Sequence, residues 1–190
     1  MGFLDALLGR TKPVPPNLDE LFALPGAALT LQAGTDFKAT GSGSVCFRAA
    51  EGKAFSDIEK DVQDLLNMGN DSKPVEVSTD RYQFTWLVLR HSPDDPEGLV
   101  TNLHAVNSSL ELGGFGPQLL CTLMSFRNSA GQSLGLVYLY KRGTFYPFAP
   151  VSGESRNNAL ELQIRGVLGA DLKIEPDLGR WMPIWGAPGL

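Results

Sequence analysis

Near the centre of the chain, two neighbouring runs are apolar at almost every position: LLCTLMSF (residues 119–126) and LGLVYLYK (residues 134–141). The polar break RNSAGQS (127–133) between them carries a glycine, so the pair reads as an antiparallel hairpin. Alternation places Leu119, Cys121 and Leu123 on one face of the first strand and Leu120, Met124 and Phe126 on the other. In the second strand, Leu134, Leu136, Tyr138 and Tyr140 oppose Val137 and Leu139. A half-solvated strand would alternate with polar residues, so this hairpin belongs in the middle of a sheet covered on both sides. After Arg142-Gly143, the segment TFYPF (144–148) makes a further short strand, which Pro147 confines to an edge.

The flanking sequence supplies the covering layers. Residues 1–8, MGFLDALL, place Phe3, Leu4, Leu7 and Leu8 on one helical face with Asp5 opposite. So short a helix is not stable alone in water, so it docks on a membrane surface, on a partner or on its own domain. TKPVPP (11–16) is a stiff linker. Asn17 caps a short helix over 18–24 that Pro25-Gly26 ends, and strands are expected over 28–33 and 44–50. Between them, Gly41-Ser-Gly43 reads as a flexible hairpin loop, since a phosphate-binding motif would continue into GK[ST] and a helix. A helix over 55–68 starts with a Ser56/Glu59 capping box and shows an Ile58, Val62, Leu65, Leu66 stripe. YQFTWLVLR (82–90) is an aromatic strand. Asp95 and Pro96 open a helix with Leu99, Leu103, Val106 and Leu110 on its buried side, stopped by Gly113-Gly114. A last helix spans 157–168, with Asn158 and Glu161 as a capping box and a Leu160, Ile164, Val167, Leu168 stripe. The proline-bearing tail from Ile174 to Leu190 excludes regular structure, but Trp181, Met182, Ile184 and Trp185 are too apolar to stand in solvent.

Helices on long crossovers and strands joined by hairpins give an α+β fold: two layers, with a mostly antiparallel sheet of about five to six strands packed by helices. The arrangement is similar to the fold of type III secretion chaperones. Three parts are expected: an amphipathic segment and linker (1–16), a single α+β domain (17–170) and a Trp/Pro-containing tail packed on it (171–190).

Chemistry is sparse. A net charge of −5 disfavours general nucleic-acid binding. No apolar run reaches the roughly 18 residues of a membrane span, and the amino terminus lacks the pattern of a signal peptide. Cys46 and Cys121 are expected in strands as buried, reduced thiols. His91 and His104 have no partner at ligand spacing, and no nucleophile, Walker or zinc motif occurs, so no catalytic residue, cofactor or metal is assigned. The basic spot beside aromatic residues, Lys141, Arg142 and Tyr146, is the candidate contact for an anion or a partner's acidic side chain. Trp181 and Trp185 are the candidates for tail docking.

The segments MGFLDALLGR, GSVCFRAAEG, LLCTLMSF with LVYLYKRGTFYPFAP, NALELQIRG and EPDLGRWMPIWGAPGL resemble PspAB, the PspA-associated family of the bacterial phage-shock envelope-stress system. The similarity runs through essentially the whole chain, and KRGTFYPFAP and WGAPGL are its most specific parts. The resemblance implies a cytoplasmic accessory protein encoded near the membrane-remodelling protein PspA. It also implies a partner or modulator of PspA, with peripheral contact at the inner face of the membrane and no catalytic residues to carry over. Two other readings stay open: a small-molecule-binding domain or motif-less enzyme around Lys141, Arg142 and Tyr146, and a chaperone-like client-binding homodimer.

Overall fold

A computed structural model describes residues 16–48, 60, 62, 64 and 74–190. Its main strands are β1 (Lys38–Arg48), β2 (Glu76–Thr79), β3 (Phe84–Arg90), β4 (Leu119–Arg127), β5 (Ser133–Leu139) and β6 (Thr144–Phe148). They form one sheet of order β2-β3-β1-β4-β5-β6 with every neighbouring pair antiparallel. A small hairpin, β7 (Pro150–Val151) with β8 (Ser155–Arg156), follows it. The α-helices among the described residues are α1 (Leu24–Gly34), α2 (Pro96–Leu110) and α3 (Asn158–Leu168). The fold is α+β, as the patterning implies. The central hairpin is β4–β5, with β5 beside the edge strand β6 and β4 beside β1.

Alternation divides the apolar residues between two cores. Val45, Phe47, Leu87, Leu89, Met124, Phe126, Leu134, Leu136 and Tyr138 face the helices. Cys46, Trp86, Val88, Cys121, Leu123, Val137, Tyr146 and Phe148 face the other way, beneath the C-terminal tail. One face assignment is corrected. The β1–β4 register slips between Cys46 and Phe47, pairing Cys46 with Cys121 but Phe47 with Leu119. This bulge puts Leu119 on the helix side and Leu120 on the tail side, the reverse of strict alternation.

The strand expected over 28–33 is instead part of α1. Pro25 sits in the first turn, where its missing N–H costs nothing, so it opens the helix rather than closing the preceding one. Leu24, Ala27, Ala28 and Leu31 follow at helical spacing and are buried, while Leu29 is 65% exposed. The preceding turn, Leu18–Ala23, is 3-10. Gly41-Ser-Gly43 is not a loop either: it lies inside β1 at a register shift between Ala39 and Gly43. Gly41 adopts a φ of +74°, and a Cβ there would lie 2.3 Å from the His91 carbonyl oxygen, so this bulge requires glycine.

The helix expected over 55–68 lies outside the described residues except at Lys60, Val62 and Asp64, which are helical, with Val62 in the helix-side core. Asp95 caps α2 as expected, its Oδ1 accepting from Gly98 N at 2.9 Å. Gly114, at φ 87°, ends the turn that follows. The cap of α3 is Asn157, not Asn158: its side chain accepts from Leu160 N at 3.1 Å, which leaves Glu161 for a different role. Strand β2 carries no apolar alternation and is exposed throughout, so only its ladder with β3 reveals it.

Candidate functional site

After α3 the chain returns to the free side of β6. Ile174 bridges Phe145 in parallel, Phe145 N donates to Lys173 O at 2.9 Å, and Glu175 N donates to Phe145 O at 2.7 Å. That pairing blunts the sheet edge. It also inserts Glu175, 0% exposed, where its Oε2 accepts from Thr144 Oγ1 at 2.7 Å and Arg142 Nε at 3.2 Å, and its Oε1 from Asp177 N at 3.2 Å. Burial would raise this carboxyl, but the three donors outweigh it and hold it below the usual carboxylate range.

The tail then crosses the outer face of the sheet. Trp181 is 5% exposed, stacks on Tyr146 with centroids 6.1 Å apart and donates from Nε1 to Glu175 O at 3.0 Å. Arg156 fixes it from the side: Nε lies 2.9 Å from both oxygens of Glu161, and Nη1 donates to Trp181 O at 2.6 Å. Glu161 Oε1 also accepts from Ala149 N at 2.9 Å, so this buried carboxylate ties α3, the strand end and the tail together. Trp185 meets Phe148 edge-on at 5.0 Å. At the end of the tail, a Cβ on Gly189 would come within 2.8 Å of Ser125 Oγ, so only glycine lets the backbone lie this close to the sheet.

Between sheet and tail a cavity of about 550 Å³ remains. Its base is formed by Cys46, Trp86, Leu120, Cys121, Leu139 and Tyr146, and its cover by Met182, Pro183, Ile184 and Trp185. Arg48, Asp80, Tyr82 and Phe84 stand around the mouth. Cys46 and Cys121 are direct cross-strand partners and both are free thiols. The neighbouring Cys121 thiol, reinforced by burial, pushes the Cys46 thiol well up. Tyr146, raised well above its ordinary value chiefly by burial, keeps its proton and donates it to Met182 O at 2.7 Å. Asp80 accepts three N–H bonds: Oδ1 from Tyr82 N and Phe84 N at 2.8 and 3.0 Å, Oδ2 from Trp86 Nε1 at 2.9 Å.

The description of one protein family, PspA associated protein B, matches residues 1–189. The chain belongs to that family. The family name indicates association with PspA. No curated protein and no solved structure matches the chain.

In this PspA associated protein B chain, Lys141, Arg142 and Tyr146 are not gathered into one site. Lys141 Nζ donates to Pro117 O at 2.8 Å, Arg142 pairs with Glu175, and Tyr146 points to the opposite side of the sheet, under the tail. The physical reason is strand alternation: Tyr146, two residues into β6, shares a face with Phe148 and not with Phe145. Trp181 and Trp185 both lie against the sheet. Phe3, Leu4, Leu7 and Leu8 lie outside the described residues. His91 bridges Asp95 and Asn102, and His104 faces Asp19 and Phe22. Among the described residues no group of three His, Cys, Asp or Glu side chains is placed to hold a metal, and no helix is long and apolar enough to cross a membrane. Arg156 and Glu175 were not singled out from sequence, and Glu161 only as a capping-box residue, because nothing in their spacing distinguishes a buried carboxylate from a solvated one.

Proposed function

We propose that this protein acts by binding rather than by catalysis, as an accessory of PspA in the phage-shock response to envelope stress, in the cytoplasm and at the inner face of the cell membrane. The family match over residues 1–189 carries this reading, since association with PspA is what the family is named for. The side-chain chemistry supports it. The charged groups around the tail, Arg142 with Glu175 and Arg156 with Glu161, are committed to holding the tail on the sheet. The Cys46 thiol beneath it is pushed well up by the neighbouring Cys121 thiol and by burial.

The contact assigned to PspA or the membrane surface is the apolar face Phe3, Leu4, Leu7 and Leu8. Size-exclusion chromatography of the full chain mixed with purified PspA tests this, alongside co-sedimentation with vesicles. The wild-type chain is expected to co-elute with PspA, and Leu4→Asp with Leu7→Asp to abolish association while leaving the melting temperature unchanged. Failure of the wild-type chain to associate with PspA would overturn the proposal. A large drop in melting temperature in the double variant would assign that face to the protein's own core.

A further inference from the structure

The cavity beneath the tail is large and mostly apolar, and at its mouth Arg48 stands with Asp80. At about 550 Å³ it lies within the range of ligand pockets, about 300–1,000 Å³. Its walls are Trp86, Leu120, Leu139, Ile184, Trp185 and the two cross-strand thiols of Cys46 and Cys121. Most side-chain polar atoms among its other walls are already engaged, the Trp185 indole N–H excepted among the described residues. The Tyr146 hydroxyl donates to Met182 O, and both Asp80 oxygens accept N–H bonds. A peptide inserted here would bring backbone N–H and C=O groups that the walls do not satisfy, at a cost of roughly 1–3 kcal/mol each. A hydrocarbon chain brings none. Arg48, at the end of β1, is exposed and makes no hydrogen bond or ion pair among the described residues, so its guanidinium stands at the mouth available to an oxyanion.

We propose that this cavity binds the acyl chain of an anionic amphiphile, with the chain between sheet and tail and the carboxylate or phosphate head on Arg48. The apolar walls provide affinity without chain-specific contacts; Arg48, the one cation among the described residues that line the mouth, sets the polarity of insertion, the Asp80 carboxylate there being already held by three N–H donors. The tail segment over the cavity suits this role. Among the described residues, its backbone from Met182 to Trp185 is tied to the sheet through one bond, from Tyr146 to Met182 O, and otherwise rests on side-chain packing.

The test uses the full-length chain and three probes: palmitate below its micellar concentration, hexadecanol as the same chain with a neutral head, and phosphatidylglycerol vesicles. Binding is followed by tryptophan emission, and by mass-spectrometric detection of maleimide addition to Cys46 and Cys121. Palmitate is expected to saturate at one per chain, raise the melting temperature and slow labelling of both thiols, with hexadecanol at least tenfold weaker. Arg48→Glu, a surface change that leaves the free protein's melting temperature unaltered, should weaken palmitate at least tenfold. Ile184→Trp, which fills the cavity from its cover, should do the same while binding hexadecanol no better. If vesicles protect the thiols of the wild type but not of Arg48→Glu, the chain is taken from a bilayer lipid; if palmitate alone protects them, the ligand is a free fatty acid. Absence of saturable binding to palmitate and vesicles alike would overturn the proposal. So would binding that both variants leave unchanged, which would place the amphiphile elsewhere, including at residues 1–8. Neither result bears on association with PspA.

Discussion

Glu175 illustrates how one side chain joins the end of the chain to its sheet. Its carboxylate is buried, yet it receives an O–H, a guanidinium N–H and a backbone N–H, so its charge is better accommodated in the folded state than in water. A carboxyl held below its unfolded value, about 4.3, makes the unfolded state bind more protons in that range, so stability rises with pH through it. The contribution is therefore complete above the unfolded value and lost as pH falls through the folded one. Glu175→Gln is expected to reduce stability at pH 7 by about 1–3 kcal/mol in urea unfolding. The gap between wild type and variant should narrow as the pH is lowered past the unfolded value. Thr144→Val removes the shortest of the three donors and should act in the same direction. None of this is legible in the sequence, where Glu175 is one acid beside a proline.

At the scale of elements, what could be read was what a single face dictates. Both-sided apolarity in residues 119–126 and 134–139 specified central strands, and Asp95-Pro96 specified a helix start, because each is a local requirement of backbone or burial. The failures have equally local causes. Leu-Thr-Leu-Gln alternates with period two and mimics a strand, yet Leu29 and Leu31 end on opposite sides of α1. The expected measurement is decisive: Leu31→Ala should cost about 2–5 kcal/mol and Leu29→Ala less than about 0.5 kcal/mol, where a strand would lose similarly at both. The slip at Cys46/Phe47 arises from pairing between strands far apart in sequence, which no pattern within β4 encodes. The cavity was illegible for the same reason: its walls come from β1, β3, β4, β5, β6 and the tail, and only packing brings them together. Trp181 and Trp185, by contrast, were legible as docking residues, since two tryptophans beside Met182 and Ile184 demand cover.

For the whole molecule, the tail is a second layer rather than an appendage. Truncation after Asp177 would remove Trp181, Trp185 and Ala187 from the outer face and leave Cys46, Trp86 and Tyr146 facing water, so the melting temperature should fall. An unchanged melting temperature with red, freely quenched emission from Trp181 and Trp185, read in a Trp86→Phe background, would show that the tail does not close the core. The sheet order has a further consequence for how the chain reaches this state. Among the described residues β1 is the first strand to be synthesised, yet it lies between β3 and β4, both of which come later. Until residue 127 has emerged, Ser44–Val45–Cys46–Phe47 cannot complete both of its ladders, whereas β4, β5 and β6 need only adjacent turns to pair. Loop-closure entropy therefore favours the β4–β5–β6 meander as the earliest structure, with β1 arriving last as a central wedge. Leu136→Ala should then slow refolding, and Val45→Ala should chiefly accelerate unfolding, in stopped-flow chevrons. During synthesis, the strand that becomes the middle of the sheet is the one that waits longest with both edges open.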